Sequence, residues 1–244
     1  MPRTRSRVRV PVPAPRETFQ VLEGLFCYDE TMKLLLTSAG ITNDSIANTL
    51  LDMVGKDAEK IKVVFIPTAA NVEEGDKAAW FFRQYEDLRR IGINWIDVVD
   101  FAAADVEWRT RLGECDVLYL SGGNTFYLLD QIRKQGFDDY LKRALSTKVY
   151  VGASASSITM TPSIEVAAVP PGDPNLPNLT DLKGLGYVDF EIEPHCDNTR
   201  FATVEKYAKE RNRKIYAIDD QTAIKSIDGK VEVISEGKWK FCKP

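Results

Sequence analysis

Five short apolar runs, each closing on small or turn-forming residues, constrain this chain more than any other feature. They are MKLLLTSAG (32–40), KIKVVFIPTAA (60–70), NWIDVVDF (94–101), CDVLYLSGG (115–123) and KVYVGAS (148–154). None alternates cleanly between apolar and polar residues, so each is a strand with both faces to bury. The segments between them have the other period. NDSIANTLLDMVG (43–55) opens on a capping Asn43 or Asp44 and stops at Gly55. EEGDKAAWFFRQYEDLRRIG (73–92) is long and amphipathic, and a short helix is expected over 105–113. Two more helices follow over 124–136 and 137–146. Buried strands alternating with helices predict an α/β fold, a three-layer sandwich with a mainly parallel sheet between helical layers.

Beyond Ser154 the pattern changes. Residues 165–186 are rich in Pro, Gly, Asn and Asp, with PPGDPNLP (170–177) at their centre, and read as a long loop. YVDFEIEP (187–194) is a further strand that runs into His195, and a charged helix is expected over 199–213. The last segment, 214–241, carries hairpin signals at Asp228-Gly229 and Glu236-Gly237. The opening MPRTRSRVRVPVPAPRE (1–17) has no acid before Glu17 and three prolines that prevent a regular helix. It lacks an amphipathic repeat and an apolar signal core, so 1–31 is expected to be an extension outside a single domain over 32–244, with Met32 a natural start.

Several function classes drop out. A net charge of -4 and a pI near 5.3 oppose binding driven by nucleic-acid phosphates. The four cysteines Cys27, Cys115, Cys196 and Cys242 show no C-x-x-C spacing, so neither a zinc site nor a disulfide framework is indicated, and no metal or cofactor is expected. No apolar run reaches the roughly 20 residues a membrane helix needs, and a cytoplasmic setting is expected.

Three features fall at strand ends, where ligands bind in open parallel sheets. In LSGGNT (120–125) two glycines precede a helix start, which lets backbone N–H groups approach a ligand oxygen. In GASAS (152–156), Ser154 sits on a strand-to-helix turn with small flanking residues, the arrangement that exposes a nucleophile. Ser156 stands where such elbows carry glycine, so crowding by its Cβ and hydroxyl is expected there. In EPHCDNT (193–199) a strand delivers His195, the only histidine in the chain and hence the only histidine base available to Ser154. A carboxylate must orient that base, and the candidates between serine and histidine are Glu165 and Asp173. Arg200, just over one helical turn after His195, could take a substrate carboxylate or simply be solvated.

Taken together, SGGNTFYLL (121–129), GASAS (152–156), PHCD (194–197) and the strand KVVFIPTAA (62–70) resemble the serine peptidase family S51, which includes dipeptidase E and cyanophycinase. The resemblance covers Met32 to the C-terminus. It implies a class I glutamine-amidotransferase-like sandwich and a metal-independent serine mechanism. Position by position it makes Ser154 the nucleophile and His195 the base, with Gly123 and Ala155 donating to the oxyanion. It places the acid in the segment after the elbow, where Asp173 is preferred over Glu165; Asn124 and Arg200 are candidates to bind the substrate. The implied substrate is a small peptide or isopeptide, with a taste for aspartyl bonds; a homodimer is compatible with the sequence. Two alternatives remain open: a catalytically impaired member acting as a binding protein, and an esterase or amidase on a non-peptide substrate.

Overall fold

The computed structural model describes residues 31–75 and 79–244, so the N-terminal extension lies, up to residue 30, outside the described residues. The apolar runs become five parallel strands: β1 (Lys33–Thr37), β2 (Lys62–Ile66), β3 (Trp95–Val98), β4 (Val117–Leu120) and β5 (Val149–Ala153). Two later strands, β8 (Thr222–Ile227) and β9 (Lys230–Ser235), complete a seven-stranded sheet in the order β3-β2-β4-β5-β1-β8-β9. β8 runs antiparallel to β1, and β9 antiparallel to β8. The Asp228-Gly229 turn thus forms the expected hairpin.

The unbroken apolar runs have a direct cause. Successive strand residues point to opposite faces, and here each face has its own core. Leu34, Leu36, Val64, Ile66, Leu118 and Leu120 enter one cluster. Their neighbours Leu35, Val63, Phe65, Val117 and Tyr119 enter the other. The first cluster is closed by α3 (Trp108–Arg111), α4 (Thr125–Gln135) and α5 (Phe137–Ala144), through Trp108, Leu128, Ile132, Phe137 and Leu141. The second is closed by α1 (Asp44–Val54) and α2 (Ala79–Arg90), through Ile46, Leu50, Met53 and Leu88. This is the expected three-layer sandwich.

The C-terminal third departs from expectation in one respect. Glu236-Gly237 does not close a second hairpin. The strand after it, β10 (Trp239–Cys242), leaves the main sheet and pairs antiparallel with β7 (Ile215–Ile218). β7 pairs in parallel with β6 (Glu191–Glu193), giving a separate three-stranded sheet. Asp219 holds this divergence by accepting from the N–H groups of Gln221 and Lys238 and from the Thr222 hydroxyl. An Asp-centred network of this kind is not visible in local turn composition. The helix after β6, α7 (Asn198–Arg211), is capped by Asp197, which accepts from the Arg200 N–H. Between α6 (Ala155–Ile158) and β6 the chain is the expected long loop, with one 3-10 turn at Glu165–Ala168. No helix among the described residues is long and apolar enough to cross a membrane.

Glu191, on β6, is buried with neither carboxylate oxygen hydrogen-bonded, although Arg213 Nε lies 3.3 Å from Oε1. Burial pushes its carboxyl from the usual 4.5 up to about 7, against the lowering field of Arg213. The unfolded chain releases this proton at lower pH than the folded chain. Stability therefore falls as pH rises from about 4.5 to about 7. Glu191→Gln is expected to shrink the stability difference between about pH 5 and about pH 7.5 in urea unfolding; an unchanged difference would contradict this account.

Candidate active site

Strand register brings the site together. Thr37 pairs with Ala153 across β1–β5 and with Ala223 across β1–β8. The residues just beyond, Ser38 and Ser154, therefore emerge side by side at the C-terminal edge of the sheet. β8 is antiparallel, so it starts at that same edge, and the β7–β8 turn carrying Asp220 lies over it. The Ser38 N–H donates to Thr222 and the Ser154 N–H to Thr37.

Ser154 occupies φ 54, ψ -114, a region L-residues rarely enter. Such strain persists only where the surroundings enforce it, and it lifts the hydroxyl clear of strand and helix. Its Oγ lies 2.9 Å from His195 Nε2, and His195 Nδ1 lies 2.6 Å from Asp220 Oδ1. An ionised carboxylate only accepts, so Nδ1 carries the proton, and Nε2 is left to accept from the serine hydroxyl. The hydrogen bond from His195 holds the Asp220 carboxyl below its usual range, against partial burial, with help from Ser38. Ser38 Oγ donates to Asp220 at 2.9 Å and accepts the His195 N–H at 2.8 Å. It thereby ties the acid to the backbone that presents the base. His195 itself has φ 56.

The carboxylate in contact with the His195 imidazole is thus neither Asp173 nor Glu165. Asp173 Oδ2 accepts the Thr125 N–H at the start of α4, 2.8 Å away, and lies in the wall of the clefts beside Ser154. Glu165 is drawn off toward Arg213, 3.9 Å away, beside the Glu191 cluster. Asp220 follows the histidine in sequence, so a search confined to the interval between serine and histidine passes over it. The available signal was the doubled acid Asp219-Asp220 interrupting an apolar run, one residue to cap the turn and one to face the site.

Gly122 and Gly123 enter from the end of β4. A Cβ on Gly122 would lie 3.0 Å from the Ser154 Cβ, and one on Gly123, where φ is 136, would lie 2.2 Å from the Ala69 carbonyl oxygen. Glycine is required at Gly123, and at Gly122 a side chain would press on the Ser154 Cβ. Gly123 lines the cleft beside Ser154, and Ala155 starts α6 with its N–H free of acceptors among the described residues. Asn124 and Arg200, by contrast, are occupied by the fold. Asn124 caps α4 through the Tyr127 N–H and donates to the Pro174 carbonyl at 2.9 Å. Arg200 is not solvated: its Nε and Nη2 meet Glu193 Oε1, and Nη1 donates to the carbonyls of Val169 and Pro170. Both side chains anchor the long loop over the site. Burial raises the Glu193 carboxyl to about 7, against the pull of Arg200. Cys115 is buried at the far end of β4, its thiol pushed up to about 11 by burial, which suits no nucleophile.

Ser156 corrects a second expectation. Its Oγ does not crowd the elbow. It accepts the Ala153 N–H at 2.7 Å and points its own proton toward the carbonyls of Leu120 at 2.6 Å and Ala153 at 3.0 Å. A fully buried hydroxyl thus ties β4 to the elbow and satisfies backbone groups that the end of β5 leaves over. The tight place is Gly152, whose added Cβ would lie 3.0 Å from the Ser156 carbonyl. Ser156→Gly is therefore expected to destabilise the protein by about 1–3 kcal/mol in urea unfolding, without raising activity, because a buried N–H loses its acceptor. A neutral or stabilising result would restore the crowding account.

The family model for Peptidase family S51 matches residues 34–234. An uncharacterized peptidase from Listeria monocytogenes is 34% identical over 186 residues, covering 71% of this chain and 85% of the relative. One from Pasteurella multocida is 30% identical over 175 residues, covering 70% and 80%. A crystal structure of a protein from Listeria monocytogenes EGD-e, provisionally described as a peptidase E, superposes with a TM-score of 0.72 at 26% identity, covering 85% of this chain and 100% of that one. With a match spanning the sheet, the elbow, the histidine and the β7–β8 turn, this chain belongs to peptidase family S51.

Proposed function

We propose that the chain is a serine-type peptidase that hydrolyses short peptides or isopeptides through an acyl-enzyme. The observation that carries this reading is the unbroken chain of contacts from Ser154 Oγ through His195 to Asp220. Ser154 Oγ attacks the scissile carbonyl while Nε2 takes its proton. The N–H groups of Ala155 and Gly123 receive the negative oxygen, whose charge is greatest in the transition state. The imidazolium, steadied by ionised Asp220, then gives its proton to the departing amine. A water molecule repeats the sequence on the ester, with His195 again the base, and frees the acid product. No step calls on a metal.

The aspartyl preference implied by the resemblance calls for a free cation in the cleft under the long loop and α7. Arg200 lines that cleft but its guanidinium is held by Glu193 and two loop carbonyls. Aspartyl dipeptides are therefore the first class to assay rather than a requirement. The binding-protein alternative rests on Ser156 and on an unsettled acid; the hydrogen bonds of Ser156 and the contact of Asp220 with His195 weigh against both grounds. A non-peptide ester or amide would pass through the same acyl-enzyme, so small-ester acylation tests the mechanism independently of the peptide substrate.

Ser154→Ala is expected to abolish both peptide turnover and labelling by serine-reactive phosphonates; turnover that survives would sink the reading. Asp220→Asn is expected to lower kcat by roughly 100- to 10,000-fold with a smaller change in KM, because the histidine loses its orienting acceptor. Asp173→Asn and Glu165→Gln are expected to lower kcat far less, and a reversed ranking would return the acid's role to one of them.

A further inference from the structure

Two clefts flank Ser154, and their charges differ in what remains free. The first, of about 640 Å³, runs under the long loop and α7. Its acids are engaged: Asp173 accepts the Thr125 N–H, Asp197 accepts the Arg200 N–H, and Glu193 pairs with Arg200, the one arginine of this cleft, which also donates to two carbonyls. The second, of about 510 Å³, lies on the other side, between α2 and the strand ends, and includes Gly123, Trp80, Arg83 and Gln84. Its acids are all engaged. Asp220 holds His195 and Ser38, Asp173 accepts the Thr125 N–H, and Glu73 has a partner. Arg83 alone among the charged groups of this wall has no hydrogen bond or ion pair among the described residues. The acid one turn further along α2, Asp87, hydrogen-bonds to Arg90 and feels Arg83 only through its charge. Arg83 is exposed on the cleft-facing turn of α2, with Trp80 half-buried one turn before it.

We propose that Arg83 binds the free C-terminal carboxylate of a short peptide whose scissile bond lies at Ser154. The inference rests on the peptidase reading above and adds the direction and end-group of the substrate. A short peptide is a zwitterion. Its carboxylate suits the cleft with an unspent guanidinium, whereas the first cleft has no arginine left for it. A guanidinium can bind a carboxylate through two parallel N–H bonds, and Trp80 offers an apolar surface against which the last side chain can pack. Recognition of the terminal carboxylate would also restrict cleavage to bonds near a free C-terminus, since the continuing chain of a longer substrate has no such charge at that position.

The test compares acids with amides. Ala-Leu and Asp-Leu, each with a free or an amidated C-terminus, are titrated calorimetrically into the Ser154→Ala protein and into the Ser154→Ala, Arg83→Gln protein. The free acid is expected to bind the first on the order of 10-fold or more tightly than the amide, as fits the loss of a charge-assisted hydrogen bond. Arg83→Gln should erase that difference, and Arg83→Lys should restore part of it. Equal binding of acid and amide, equal weakening of both by Arg83→Gln, or binding of neither would overturn the proposal. Circular dichroism of the exposed-site variants guards against misfolding. Because the comparison reads binding in a protein without Ser154, it stands whether or not Ser154 proves to be the nucleophile.

Discussion

The register of β1 against its two neighbours is the constraint on which the site depends. A parallel neighbour, β5, ends beside the end of β1, while an antiparallel neighbour, β8, begins there. One strand edge therefore receives a residue leaving β5 and a residue about to enter β8. Those residues are Ser154 and Asp220. Shifting either pairing by one residue would turn every side chain of the strand to the other face. That would exchange the two cores as well as the site, so the burial of both sheet faces also fixes the geometry of Ser154, His195 and Asp220.

Holding that geometry uses strained backbone. Ser154 and His195 both have positive φ without being glycine, a cost of about 1–3 kcal/mol each. What offsets it is a dense set of buried hydroxyl contacts under the elbow. Thr37 Oγ1 donates to the Gly152 carbonyl and accepts from Gly40, Ser157 Oγ donates toward the carbonyls of Thr37 and Gly152, and Ser156 bridges Ala153 and Leu120. Small polar residues that look like a low-information serine string are the fastening of the turn. Replacing them by glycine would relieve no bulk and would leave buried backbone groups without partners.

The two sides of Ser154 show a division of labour among charges. Arg200 and Asn124 point toward the site in sequence but are used by the fold to hold the long loop. Arg83, on a helix with no motif, is left with its charge available. Whether a charged side chain serves structure or ligand is set by what else reaches it, and proximity to a catalytic residue in sequence carries little of that information.

The sequence by itself determined the layers, the parallel strands and two members of the site. Apolar runs must bury both faces, a serine between a strand and a helix must be exposed, and a single histidine leaves no choice of histidine base. It did not determine the acid, because Asp220 reaches His195 only through the antiparallel pairing of β8 with β1. A turn of adjacent acids, Asp219 and Asp220, gives no local sign of which one faces the site. Nor did it determine that β10 would leave the main sheet for β7, or that Ser156 would be a partner rather than an obstruction. Those outcomes depend on hydrogen bonds between residues far apart in the chain, such as Ser156 with Leu120 and Ser38 with both His195 and Asp220. Local propensity does not see such bonds, and they exist only once the strands are paired.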